Sequence, residues 1–169
     1  MRSGVAGSRR VRRSGHALIE LALVLPLLFL LIFNVLNFGG MLVAWITVSH
    51  AARNGAQYLM LRNATIGAPT TPTNAQVISM VSQDMQALPN YNTATIVVCT
   101  NNSGTIACAG GSATPPSDPE STYYVLGSVD VTYTYTPYVS LWSFPSLGIY
   151  LTVPPTTIHR QCAMRLGGS

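Results

Sequence analysis

Residues 17–33 read ALIELALVLPLLFLLIF, an apolar run that contains one charged residue, Glu20. The run continues through Val35 and Leu36, so about 20 residues, or ~30 Å of helix, are available to cross the hydrocarbon core of a bilayer. A secretory signal peptide usually has a shorter apolar segment without an internal acid. The stretch therefore predicts a membrane-spanning helix close to the N-terminus.

Arginines are concentrated ahead of this run, at Arg2, Arg9, Arg10, Arg12 and Arg13. They carry five positive charges, against a formal net charge of +4 for the whole chain, so the rest of the chain is close to neutral. Positively charged flanks stay in the cytoplasm during membrane insertion. We therefore expect a cytoplasmic N-terminus, a single pass through inner-membrane lipid and a periplasmic C-terminal part, and no nucleic-acid partner.

Beyond the apolar run, residues 37–62 keep helix formers and small residues, so the helix is expected to continue into the periplasm. Prolines and threonines at 67–73 end it and form a linker. Three parts follow from this pattern. They are a basic leader at 1–15, a transmembrane and emerged helix at 16–62, and an extracytoplasmic domain at 63–169.

Within the domain, Thr73 is expected to cap a second helix that ends near Leu88, with an apolar face. Segments rich in threonine, valine and tyrosine predict strands at 95–100, 124–135, 149–153 and 157–164. These elements predict an α+β fold, in which the long N-terminal helix and the second helix pack against a small antiparallel sheet.

Alternation along residues 128–138 predicts a sheet with one face in the core and one face in water. The core face carries Val129, Val131, Tyr133 and Tyr135. The polar face carries Asp130, Thr132 and Thr134. We expect the tyrosines of residues 123–138 to belong to the core of the sheet rather than to a ligand site.

Cys99 and Cys108 flank a turn-forming group at 101–104, so they could meet across a hairpin in an oxidising compartment. Such a disulfide would stabilise the fold by roughly 2 to 3 kcal/mol. Cys162 is then left over. A zinc site is the competing use of these cysteines, but there is no CxxC spacing and His159 is the only nearby imidazole, so we expect no metal.

Catalytic patterns are missing from the sequence. The three histidines are scattered along the chain, the few acidic residues are not paired, and there is no GxSxG, P-loop or HExxH motif. We expect a protein that is not an enzyme, with no catalytic residue and no cofactor.

The stretch RRSGHALIE, residues 12–20, resembles the processing site of type IV prepilins and pseudopilins. In those proteins a membrane peptidase cuts after a glycine, and a glutamate is the fifth residue beyond the cut. Gly15 and Glu20 have this spacing, between a basic leader and a long apolar helix. The resemblance implies a prepilin peptidase as a partner and cleavage between Gly15 and His16.

A wider resemblance covers residues 14–60, through SGHALIELALVLPLLFLLIFNVLNFGG and ITVSHAARNGAQYLM. These segments are similar to TadE-like proteins, the minor pseudopilins of tight-adherence (Flp, type IVb-like) pilus systems. The family's small-residue core is matched by Ala51, Ala52, Arg53, Gly55 and Ala56. Leu21 stands where major Flp pilins usually have tyrosine, which favours a minor component. The implied partners are other pilins or pseudopilins and the pilus assembly machinery.

Residue roles follow from the same resemblance. The new amino terminus at His16 could pair with Glu20 of a neighbouring subunit and set the register between them. Helix packing is expected at Asn34, Asn37, Ala52, Arg53 and Gly55, with interhelical hydrogen bonds from the two asparagines. The alternative is an uncleaved, membrane-anchored binding module whose β-rich domain recognises a polysaccharide, a peptide or another surface partner.

Overall fold

A computed structural model describes residues 14–61, 72–102, 104–117, 125–140, 143–144, 146 and 149–166. Most of the predicted leader and residues 67–71 of the linker predicted at 67–73 lie outside these residues. The boundary expected at 62–63 also lies outside them, so the three-part division of the chain stays a prediction.

Helix α1 spans Ser14–Met60, 47 residues, and is unbroken at Pro26 and at the two glycines 39 and 40. At 1.5 Å per residue it is ~70 Å long. Side chains from His16 to Ile32 are all exposed, and from Asn37 onward one face of the helix is buried. That face repeats at three- and four-residue intervals, through Asn37, Ala44, Val48, Ala51, Ala52, Gly55, Ala56 and Leu59. The helix therefore has a free half, residues 16–32, and a packed half, residues 37–60.

Helix α2 spans Asn74–Asp84 and begins as predicted at Thr73. The Thr73 side chain accepts a hydrogen bond from the Gln76 backbone, while the Gln76 side chain accepts one from the Thr73 backbone, which makes a complete capping box. The predicted end near Leu88 was wrong by one turn, because the chain leaves the helix after Asp84. Met85 and Leu88 are nevertheless buried, so the apolar face continues through the turn.

Six strands follow: β1 Thr95–Asn102, β2 Thr105–Ala109, β3 Val125–Tyr135, β4 Ser143–Phe144, β5 Ile149–Tyr150 and β6 Thr156–Leu166. Four form an antiparallel sheet in the order β2-β1-β3-β6, and β4 pairs with β5 separately. The strand expected at 149–153 is only two residues long. Its continuation, Leu151 and Thr152, is bent, and two prolines follow at 154 and 155.

The packed half of α1 lies over β3 and β6, and α2 lies over β1. Between them, Val129, Val131, Tyr133 and Tyr135 are fully buried, as the alternation predicted. Tyr138 is 63% exposed and lies outside this core, because it follows Pro137 beyond the end of β3. The fold is α+β, with two helices on one face of a small antiparallel sheet.

The opposite face of the sheet is less open to water than expected. Residues 110–117, which follow β2, run across it, and the Gln161 side chain on β6 donates a hydrogen bond to the Thr114 carbonyl at 3.0 Å. Asp130, on this face, is only 8% exposed. The alternation along β3 predicted the orientation of each side chain correctly but could not show that the preceding segment, residues 110–117, covers the polar face.

Candidate functional site

The free half of α1 begins at the residues expected to be processed. Gly15 and His16 lie in its first turn, and Glu20 is one turn further along. The His16 and Glu20 side chains are exposed, and so is every side chain from there to Ile32. This half is long and apolar enough to cross a membrane. It is therefore available to lipid or to another apolar helix.

Small residues on the packed half let α1 approach α2 and the sheet closely. Ala52, Gly55 and Ala56 are buried. A Cβ atom on Gly55 would overlap Val81 of α2 and would touch Val129 of β3. Two of the predicted packing residues, Ala52 and Gly55, thus pack against elements of their own chain. Arg53, another of the predicted packing residues, is exposed.

Two asparagines fasten α1 to the connection between β3 and β6, residues 136–155. The Asn37 side chain is fully buried, donating to the Val139 carbonyl at 2.6 Å and accepting from the Val139 backbone N–H at 3.1 Å. One turn earlier, Asn34 donates to the Leu151 carbonyl at 2.9 Å. The structure gives both amides partners within the chain, and the expected bonds between subunits stay a prediction.

The hydroxyls of two β3 tyrosines bond other parts of the domain, one on α1 and one on the chain that follows α2. The Tyr135 hydroxyl donates to the Asn37 carbonyl at 2.8 Å, and the Tyr133 hydroxyl donates to the Pro89 carbonyl at 2.6 Å. Burial raises the pKa of both hydroxyls, and the nearby Tyr138 raises it further. Both groups therefore stay protonated at neutral pH, when they are needed as donors.

The predicted disulfide between Cys99 and Cys108 is present. The two residues are direct neighbours in the register of β1 and β2, so the bond closes the hairpin. Cys162, on β6, is a free thiol that packs at the margin of the core.

The polar face of the sheet carries one close pair of titratable side chains. The His159 ring nitrogen Nε2 lies 2.8 Å from a carboxylate oxygen of Asp130. No third metal-binding side chain joins it, and the residues that the structure describes contain no group of three histidine, cysteine or acidic side chains suited to a metal ion. This pair alone gives no reaction that the structure can support.

A protein-family model described as TadE-like protein matches residues 15–57. Over these residues α1 is similar to that family, and α1 is called the TadE-like helix from here on. The match includes the expected processing residues, the free half and most of the small-residue face of the TadE-like helix. It is consistent with a TadE-like protein of the tight-adherence pilus system. No curated protein and no solved structure matches the chain.

Sequence reasoning missed two contacts of the TadE-like helix. One is the fastening of Asn37 to Val139, more than a hundred residues away. The other is the guanidinium of Arg160 on β6, which lies 3.6 Å from the centre of the Trp45 ring. A polar pair, Asn34 and Asn37, on one face of an apolar helix was the available signal for the first. The second depends on the register of β6 and had no signal in the sequence.

Proposed function

We propose that this protein is a minor pseudopilin that helps to assemble or prime a tight-adherence (Flp) pilus and that a prepilin peptidase processes it. The observation that carries this proposal is the TadE-like helix, whose first two turns hold Gly15 and Glu20 and whose side chains from His16 to Ile32 are all exposed. An uncovered apolar half suits a protein that passes from lipid into a bundle of similar helices.

In this proposal the arginine-rich leader stays in the cytoplasm, where the peptidase cuts between Gly15 and His16. The TadE-like helix spans the inner membrane once, and the α+β domain lies in the periplasm. The partners are the peptidase, inner-membrane lipid, other pilins or pseudopilins and the pilus assembly machinery.

Cleavage also gives Glu20 a role. It frees the α-amino group of His16, and this cation can pair with the Glu20 carboxylate of a neighbouring subunit inside the membrane. An unpaired carboxylate in a low-dielectric bundle is less stable than a paired one by several kcal/mol. Pairing therefore favours one axial register between subunits, in which amine and carboxylate meet.

The test is intact-mass spectrometry of the full chain, isolated from membranes of cells that also express a prepilin peptidase. We expect a mature chain that begins at His16. Gly15→Val should abolish this cleavage, because a branched side chain next to the cut blocks access to the peptide bond. Glu20→Ala is the matched control and should still be cleaved, since its proposed role begins after processing.

A full-length chain in the presence of active peptidase would overturn the proposal. It would favour the alternative of an uncleaved, membrane-anchored binding module. Cleavage of a known prepilin in the same cells establishes that the peptidase is active, so an uncut chain can be attributed to its own sequence.

A further inference from the structure

The two described ends of the β3–β6 connection, residues 136–140 and 149–155, lie at the end of the sheet nearest the free half of α1. The last residue of β3, Tyr135, is bonded to Asn37 of the helix. Near its other end, Leu151 accepts a hydrogen bond from Asn34, one turn closer to the membrane-spanning run. The sheet resumes only at Thr156.

Helix geometry gives the depth of these contacts. At 1.5 Å per residue, a hydrocarbon core of ~30 Å that begins near Ala17 ends near Asn37. Asn34 and Asn37 therefore lie at the level where α1 leaves the core. The connection is fastened to the helix at the same level, beside the lipid headgroups.

Charged side chains avoid this level on both parts of the molecule. On α1 there is no charged residue or histidine between Glu20 and His50, and on the sheet side there is none between Asp130 and His159. Beyond this level, the Arg160 guanidinium lies over the ring of Trp45, which follows Asn37 by two turns of α1. Every residue of the connection is uncharged.

The connection has the composition of a membrane interface. Its sequence, TPYVSLWSFPSLGIYLTVPP, contains two tyrosines and a tryptophan, the residues that are enriched where a bilayer meets water. Among its described side chains, Tyr138 is 63% exposed and Leu151 is 38% exposed. Large apolar groups exposed beside a membrane-spanning helix are stabilised by contact with lipid.

An apolar groove joins the connection to the membrane-spanning half. It has a volume of about 780 Å³, and α1 side chains from Leu27 to Gly39 line it together with Val153 of the connection. Gly39 leaves the space beside it open. The groove begins within the hydrocarbon depth and ends at the headgroup level, so its shape and depth suit the acyl chain of a phospholipid.

We infer that the β3–β6 connection is a second membrane contact of this protein, with Tyr138 and Leu151 in the headgroup layer and a phospholipid acyl chain in the groove closed by Val153. This contact fixes the height of the domain above the bilayer. It requires only that α1 spans a membrane, and it does not depend on processing or on a pilus.

Tryptophan quenching by brominated lipid tests the inference on the full chain. Trp45→Phe and Trp142→Phe remove the native tryptophans, and single reporters are then placed by Leu151→Trp or, as a second variant, Tyr138→Trp. Each protein is reconstituted in phosphatidylcholine vesicles whose acyl chains carry bromine close to the glycerol. Both reporters should lose several-fold more emission than the matched control Ile106→Trp, an exposed apolar position on β2.

The control position lies at the far end of the domain. Asn101 pairs with both Ile106 and Leu126, so the control position lies level with Leu126. Leu126 and Tyr135 are nine positions apart on β3, which is ~30 Å of strand. A fourth reporter, Leu27→Trp, should be quenched by bromine near the chain ends and confirms insertion of the helix.

Quenching at Leu27 without quenching at positions 138 and 151 would overturn the inference and leave the membrane span intact. The connection would then face water or another protein chain, such as a second copy of this one. Near-UV circular dichroism checks each variant for folding. If one of the two connection reporters does not fold, the other decides.

Discussion

Gly39 and Gly55 lie on the same helix in opposite surroundings. Gly55 faces Val81 across the contact between α1 and α2, at a distance that leaves no room for a Cβ atom. Gly39 has nothing within 4 Å of the position that a Cβ would take. The first glycine is required by packing, while the second carries only the conformational cost of glycine in a helix.

This contrast predicts opposite effects of the same substitution. Gly55→Ala should destabilise the domain by about 1 to 3 kcal/mol, because the added methyl group forces α2 away from α1. Gly39→Ala should be neutral or stabilise by up to ~1 kcal/mol. Guanidinium unfolding of the full chain in detergent, followed by near-UV circular dichroism, measures both. Equal stability of the two variants would contradict the close packing at Gly55.

Asn37 shows how one buried polar residue is accommodated. Its side chain is fully buried, and both its amide nitrogen and its carbonyl oxygen bond the backbone of Val139. The backbone carbonyl of Asn37 accepts a hydrogen bond from the Tyr135 hydroxyl. Because a buried amide without partners is costly, these bonds fix the end of β3 at one position along α1.

Among the elements, the β1–β2 hairpin is the one held by a covalent bond. The strand pair is short, and β2 is exposed along most of its length. As the edge strand of the sheet, β2 is paired on one side only, by β1, so it depends on further support. The disulfide between Cys99 and Cys108 and the segment 110–117 across the sheet supply that support.

Reduction of this disulfide should lower the free energy of unfolding by about 2 to 3 kcal/mol, because the unfolded chain regains the entropy of the open loop. Unfolding curves with and without dithiothreitol measure the difference. The double variant Cys99→Ala, Cys108→Ala is the control, and its stability should not respond to the reductant. A response in that variant would assign the effect to Cys162 instead.

At the scale of the whole molecule, the packed half of α1 belongs to the folding unit of the domain. Val48 and Leu59 are fully buried, in one cluster with Val129 and Tyr133 of the sheet. Burial of each large apolar side chain contributes about 1.5 to 3 kcal/mol, so several of them together amount to the entire stability of an ordinary domain.

Two truncations test this organisation. A chain that begins at Asn34 should fold in mild detergent, since it retains every buried residue of the helix. A chain that begins at Pro72 should not fold, because the sheet loses the cover of its core face. Amide hydrogen exchange of β3 distinguishes the two, with protection expected only in the longer chain. Protected β3 amides in the shorter chain would show that the domain folds without α1.

The sequence by itself determined the elements whose signals are local. The apolar run at 17–33, the cap at Thr73, the alternation along β3 and the cysteines flanking a turn each reflect interactions between near neighbours in the chain. The long apolar helix of the free half also followed from the sequence, because the run at 17–33 predicts it without reference to any other segment. The disulfide was predictable for the same reason, since its cysteines are close in sequence.

Only the tertiary structure decided what the residues of α1 contact. Asn34 and Asn37 bond a connection that follows them by more than a hundred residues, while the bonds expected with helices of other subunits stay a prediction. The covering of the polar sheet face by residues 110–117 and the contact of Arg160 with Trp45 were equally hidden. Such contacts depend on strand order and register, which are fixed by the packing of the whole core and have no local pattern in the chain.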